Sequence, residues 1–241
     1  MIRKQIIVLW TLLFTAFMAV MVIMFSFLCT DKDTPHKVGR IWAKCILAAS
    51  NIKVTVKGFS NLNLHGPHIY MANHTSNFDI PVLQACLPVH FIWLAKAELF
   101  KIPIFGYAMK RAGYISIDRS NKESAIQSLQ QAAKIIKNGV SVVIFPEGTR
   151  NRNQNVQPFK KGGFVLAVDS GVPIVPVILH GTRKIMPKNQ ISIEPGHVLV
   201  EIKKSIESSD YTRETKELLM GKIRNVILES LENAKKNGSL C

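Results

Sequence analysis

Acidic residues are scarce in this chain: sixteen Asp and Glu stand against thirty-one Lys and Arg, leaving a net charge of +15 with histidine neutral. A surplus of that size needs a negative counterpart, whether nucleic acid, anionic lipid or a phosphorylated substrate, and charge alone does not choose among them. Cysteine is sparse too. Cys29, Cys45, Cys86 and Cys241 are far apart and form no C-x-x-C, which argues against a disulfide framework or a thiolate zinc site. Also missing are G-x-S-x-G, G-x-x-x-x-G-K-[ST], G-x-G-x-x-G and H-E-x-x-H. Serine hydrolases of the α/β type, nucleotide-loop enzymes and zincins therefore lose their sequence support. No internal repeat, low-complexity tract or Gly/Ser-rich linker divides the chain.

What is present is apolar. Of 241 residues, 47% are hydrophobic and 20% charged, enough for a packed core, and the length suits one catalytic domain with an appendage. Ile6 to Leu28 runs without a charge, and a bilayer needs roughly 20 such residues. A cleaved signal peptide has a shorter apolar region and a small-x-small site, whereas Phe25-Ser-Phe-Leu28 offers none, so the segment reads as a retained anchor. Arg3 and Lys4 precede it, and Lys32, Lys37, Arg40 and Lys44 follow, which places the C-terminal body on the cytoplasmic side. Positive charge at both ends also suits a segment that dips into one leaflet, with a helix over 38–52 lying along the interface. The expected organisation is a membrane-anchoring helical segment over 1–50 and a catalytic domain over 51–241.

Beyond Asn51, short apolar runs alternate with helical periodicity, which predicts an α/β fold: a mixed central sheet flanked by helices. The expected strands are Lys53–Lys57, His68–Ala72, Phe91–Leu94, Tyr114–Ile117, Val140–Phe145, Ile174–Leu179 and Val198–Ile202. Helices are expected over Asn121–Lys137, capped by Ser120 with Glu123, over Lys160–Ser170 before Gly171, and over Thr212–Lys235.

Polar residues cluster where strands end, the place an α/β sheet puts its site. Asn73-His74-Thr-Ser-Asn-Phe-Asp79 follows the second strand. Across one turn Asp79 can accept the imidazole N–H of His74 and leave the other nitrogen to take a proton; alternatively, Thr75, Ser76 and Asp79 only cap a helix. Phe145-Pro-Glu-Gly-Thr-Arg150 ends another strand. Arg150 offers a planar fork for a phosphate monoester, Thr149 and the Gly148 N–H add donors, and Arg152, Lys160 and Lys161 add positive field. Between them, Phe100, Ile102, Ile104 and Phe105 sit among Lys96, Lys101, Lys110 and Arg111, suited to an acyl groove, a membrane surface or ordinary core. Arg119 is either a second phosphate ligand or a partner of Asp118. Val172-Pro-Ile-Val-Pro-Val-Ile-Leu179 carries no ionisable group and reads as a buried wall.

Together and in this order, N-H-x-x-x-x-D at 73–79, the stretch ending Ile117-Asp118-Arg119, F-P-E-G-T-R at 145–150 and Val172-Pro173 with Pro176 resemble the four blocks of the glycerolipid acyltransferase family. Within it, the chain is most similar to the 1-acyl-sn-glycerol-3-phosphate acyltransferases of the bacterial PlsC type. The resemblance implies transfer of a fatty acyl group from acyl-CoA or acyl carrier protein to the sn-2 hydroxyl of lysophosphatidic acid, giving phosphatidic acid. It also implies His74 as general base, Asp79 as its orienting carboxylate, and Glu147, Gly148, Thr149, Arg150 and Arg119 at the glycerol phosphate. No cofactor or metal is implied, because the thioester is a co-substrate. The implied setting is phospholipid biosynthesis at a bacterial inner membrane, beside anionic lipid, with the catalytic domain cytoplasmic and no nucleic acid as partner. Relatives with the same blocks acylate glycerol 3-phosphate or other lysophospholipids. Water as acceptor would make a membrane-bound thioesterase or lysophospholipase, and charge plus anchor alone would allow a non-enzymatic nucleic-acid tether.

Overall fold

Strands that are apolar on both faces must lie between two layers of helix, and four of the seven strands here have this character. The computed structural model describes residues 2–29, 31, 33–118, 120–151 and 156–236. Lys32, Arg119, Arg152 and Cys241 lie outside the described residues. The strands are β1 (Ile52–Lys57), β2 (Ile69–Ala72), β3 (Phe91–Lys96), β4 (Ile115–Ile117), β5 (Ser141–Ile144), β6 (Ile174–His180) and β7 (Gly196–Ile202). They form one sheet in the order β1-β7-β6-β2-β5-β3-β4. The block from β6 to β4 is parallel, β7 opposes β6, and β1 pairs parallel with β7, so the sheet is mixed as expected.

All seven expected strands are present, with ends shifted by one or two residues. Helices α1 (Ile2–Leu28), α2 (Thr34–Ala49), α3 (Asp79–Cys86), α4 (Phe105–Arg111), α5 (Lys122–Lys137), α6 (Gly162–Ser170), α7 (Thr182–Ile185) and α8 (Lys216–Lys236) complete the chain. Three expected boundaries need correction. Asn121, not Ser120, caps α5 by accepting the Ser124 N–H, because the Ser120 hydroxyl is spent on Asp118. Helix α8 starts at Lys216 rather than Thr212: Thr212 and Thr215 bond each other's backbone N–H and hold a non-helical turn ahead of it. Helix α2 begins at Thr34, with Pro35 in its first turn, and ends before Ile52, which opens β1.

Period-two alternation sorts each strand's side chains onto two faces. Tyr70 and Ala72 of β2 pack with Trp93, Val175 and Val177 against Ile46 and Leu47 of α2 and Val82 and Leu83 of α3. Ile69 and Met71 face the other way, onto Ala132 and Ile136 of α5, Phe164 and Leu166 of α6, and Leu219, Ile223 and Ile227 of α8. Each fully buried Val, Leu, Ile, Phe or Met among them contributes about 1.5–3 kcal/mol.

The connection from β2 through α3 passes over β5 to reach β3, and that from β5 through α6 passes over β2 to reach β6. These crossovers run in opposite directions and put their helices on opposite faces, which parts the chain at the C-terminal ends of β2 and β5 and opens a crevice there.

Helix α1 packs Met18, Ala19 and Val22 against Val38 of α2 and Ala108 of α4. Its other side leaves Ile6, Leu9, Leu12, Leu13 and Phe17 more than half exposed. Lys4–Leu28 is long and apolar enough to cross a membrane.

Candidate active site

The pairing of β2 with β6 extends one rung beyond the strand through a side chain. The buried Asn73 amide donates to the Leu179 carbonyl at 3.0 Å, and its oxygen accepts the Leu179 N–H at 2.8 Å. His74 therefore leaves the sheet from a fixed point. Its Nδ1 lies 2.8 Å from Asp79 Oδ2, and the same oxygen accepts the backbone N–H groups of Thr75 at 2.7 Å and Ser76 at 2.8 Å. The two sequence alternatives coincide, because the carboxylate that holds the turn at the start of α3 also holds the imidazole. Asp79 is wholly buried, and its Oδ1 has no partner among the described residues. A carboxylate can only accept here, so the proton sits on Nδ1 and Nε2 carries the free lone pair. Phe145 stacks on the imidazole at 3.9 Å and 12°, and Trp93 stacks behind Phe145 at 5.6 Å.

The loop after β5 is stitched to this one. Glu147 Oε1 accepts the His74 N–H and Oε2 the Gln157 N–H, both at 2.9 Å, while Asn151 N–H donates to the His74 carbonyl at 2.8 Å. Burial pushes the Glu147 carboxyl above the usual range, and the two amide N–H groups draw it back. Gly148 follows at φ +76°, a conformation that glycine adopts without steric cost, and the turn carries Thr149 and Arg150 to the crevice. Among the described residues, the Arg150 guanidinium forms no ion pair.

Both loops border a cavity of about 430 Å³. Its lining combines the polar His74, Gly148, Thr149, Arg150 and Lys96 with apolar wall from Met18 and Val22 of α1, Trp42 of α2, Trp93 of β3 and Phe105 and Met109 of α4. The arrangement joins a proton acceptor, an anion grip and an apolar slot.

The fold thus gathers His74, Asp79, Gly148, Thr149 and Arg150. Glu147, expected at the glycerol phosphate, is 2% exposed, accepts a backbone N–H on each carboxylate oxygen and is not part of the cavity lining. Arg119 lies outside the described residues. Of the apolar run after Glu98, Phe105 lines the cavity, whereas Ile102 and Ile104 are about half exposed at 46% and 50%. Two features went unread in the sequence: Phe145 as a plate stacked on His74, and the segment after Gly181, whose Thr182 bonds Thr75 and whose Met186 carbonyl accepts the Ser76 hydroxyl. Lys96, read among the cations beside the apolar run, does line the cavity, whereas those two contacts join residues remote in sequence.

Residues 53–180 match the family model described as Acyltransferase. The 1-acyl-sn-glycerol-3-phosphate acyltransferase BAT2 of Brassica napus is 36% identical over 198 residues, 81% of this chain and 56% of that protein. The 1-acyl-sn-glycerol-3-phosphate acyltransferase of Borreliella burgdorferi is 32% identical over 196 residues, 81% of this chain and 78% of that one. The crystal structure of the 1-acyl-sn-glycerophosphate acyltransferase PlsC from Thermotoga maritima superposes with a TM-score of 0.82 at 28% identity, covering 97% of both chains. This chain spans little more than half the length of the plant chloroplast relatives, 56% and 54% of two of them. With the matched region spanning β1 to β6 and both stitched loops, the chain belongs to the acyltransferase family.

Proposed function

We propose that the protein transfers a fatty acyl group from acyl-CoA or acyl carrier protein to the sn-2 hydroxyl of 1-acyl-glycerol 3-phosphate, yielding phosphatidic acid and the free thiol. The observation that carries this reading is a carboxylate-held histidine in the lining of a largely apolar cavity, shared with an arginine that has no ion-pair partner among the described residues. His74 Nε2 takes the hydroxyl proton as that oxygen attacks the thioester carbonyl. The imidazolium so formed faces Asp79, and the proton passes on to the departing thiolate as the tetrahedral intermediate collapses. A positioned base contributes about 10²–10⁴ in rate, with the remainder coming from alignment and oxyanion stabilisation. Arg150 and Thr149 hold the acceptor's phosphate, and an acyl chain follows the apolar wall between α1, α2 and α4. The lipid hydroxyl is the nucleophile, so the scheme forms no acyl-enzyme and uses no prosthetic group.

The same reading places the chain at a membrane, with the catalytic body on the cytoplasmic side of a bacterial inner membrane. Helix α1 is tied to the body at both ends, by Lys4 to Glu194 and by Ser26 to Arg111, whose guanidinium also covers Phe27 at 4.1 Å. A helix fastened at both ends to one body lies along it, and its exposed apolar side enters the near leaflet.

The test is acyl transfer by detergent-purified protein from a long-chain acyl-CoA, comparing lysophosphatidic acid, glycerol 3-phosphate, lysophosphatidylcholine and no acceptor, with lipid products resolved. Phosphatidic acid formed only with lysophosphatidic acid is the expected result. Free fatty acid without acceptor would replace the transferase reading with a hydrolase.

A further inference from the structure

Beyond β6 the chain makes contacts with both loops that the proposed mechanism leaves unused. Gly181 turns it at φ +89°, where a Cβ would meet the His197 carbonyl oxygen at 2.6 Å, so the backbone lies directly on β7. Thr182, fully buried, then shares a hydrogen bond with Thr75 at 3.1 Å, and the Met186 carbonyl accepts from the Ser76 hydroxyl at 2.9 Å. Pro187 and Asn189, the latter at φ +70°, bracket Lys188. The Lys188 ammonium donates to the Arg150 carbonyl at 2.7 Å and stands 3.5 Å from the Thr149 hydroxyl. The segment therefore grips the base loop through two residues and the anion loop through one cation.

That cation is half-buried and has no carboxylate partner among the described residues. Lys57, Lys122 and many other lysines lie free at the surface, but Lys188 is held against the loop whose next donors line the cavity. An ammonium has three protons, and only two point at Arg150 and Thr149. An anion accepting the Thr149 hydroxyl proton would sit about one hydrogen-bond length further on, close enough for the remaining charge to be felt directly.

We propose that Lys188 is a specificity-determining residue: with Arg150 it supplies two positive charges to the acceptor headgroup, so that a dianionic phosphate monoester is preferred over a singly charged phosphodiester. This rests on the acyltransferase reading above. A monoester phosphate carries about −1.5 to −2 near neutral pH, and each added cation at short range favours it over a diester.

The experiment measures kcat and KM of the full chain with lysophosphatidic acid, with lysophosphatidylglycerol as a singly charged phosphodiester acceptor, and with acyl-CoA for wild type, Lys188→Met and Lys188→Arg. The preference for the monoester should fall in Lys188→Met, and an unchanged preference overturns the proposal. Lys188→Met is expected to raise KM for lysophosphatidic acid about tenfold, the size of one charge-assisted contact, with kcat and the acyl-CoA KM within about threefold of wild type. The difference should shrink in high salt, and Lys188→Arg should recover most of it. A tie that merely braces the loop would lower kcat, shift both KM values together and respond little to salt; that pattern, or an unchanged KM, overturns the proposal. A wild type that acylates lysophosphatidic acid while Lys188→Met matches it sinks this inference alone, whereas a wild type inert toward lysophosphatidic acid sinks both readings.

Discussion

The loop after β2 and the loop after β5 meet edge to edge, yet they are built in opposite ways. In the first, nearly every polar group is spoken for: Asn73 by Leu179, His74 by Asp79 and Glu147, Thr75 by Thr182, Ser76 by Met186. In the second, Glu147 and Asn151 are buried and bonded, while Thr149 is exposed and Arg150 is half-exposed, with no ion pair among the described residues. The difference fits the tasks proposed for them. A base must hold one nitrogen at one point, since small displacements are costly in rate, whereas a guanidinium can follow a headgroup and still engage it.

Substitutions can break that contrast, beginning where the effect is largest. His74→Ala should lower kcat for acyl transfer by about 10²–10⁴ or more, with the thermal midpoint little changed, since it removes the proton acceptor from a loop held by other residues. Near wild-type turnover in this variant would end the assignment of the base. Asp79→Asn should cost about as much in kcat, because an amide facing three N–H donors leaves Nδ1 without a reliable acceptor and frees the tautomer. Here the melting temperature should also fall, by the loss of contacts worth about 1–3 kcal/mol.

Arg150→Lys sharpens the other side of the comparison. It should raise KM for the phosphorylated acceptor about tenfold to a hundredfold while leaving the acyl-CoA KM nearly unchanged, because the planar fork is lost and the charge kept. Equal losses in both KM values would mean that Arg150 is part of the framework. Glu147→Gln should act on stability, lowering it by about 1–3 kcal/mol in a denaturant titration, because an amide NH₂ would face the N–H of His74 or Gln157.

The smallest effect on activity is expected outside both loops, at the seam between α2 and the body. His36 is 4% exposed, packs on His90 and Phe91, and shares its Nδ1 with the Gln84 amide at 3.3 Å. Burial, with the nearby charges of His90 and Arg40, pushes its pKa down to about 3. The folded value lies below the unfolded value of about 6.5, so the neutral ring's contribution is complete above that pH and is lost as pH falls toward 3. By pH 5 the loss is about 2 kcal/mol. The wild type should therefore lose more stability between pH 7 and pH 5 than His36→Gln does, as read from denaturant midpoints; equal losses would count against the buried neutral ring.

Much of the frame was legible because its causes are local. Seven apolar runs became seven strands, since burial of such runs needs only a hydrophobic neighbour on each side, and His74 with Asp79 lies within one turn. Boundary errors arose where adjacent residues compete for a single role, as Ser120 and Asn121 do for the cap of α5. The surroundings of Glu147 were not legible in the same way. Its acceptors' partners, the N–H groups of His74 and Gln157, sit 73 and 10 residues away, so a motif position could not reveal that the carboxylate faces inward.

By itself, then, the sequence determined the alternation of strands and helices, the excess of positive charge, the apolar N-terminal helix and the two polar strand ends that border the cavity. These depend on residue type and spacing along a few turns of chain. Tertiary structure alone decided that β2 and β5 would be neighbours, that α1 would supply part of the cavity wall, and that Lys188 would come to rest on Arg150. Each of those is a pairing across dozens of residues, fixed by which surfaces exclude water from one another rather than by any local preference.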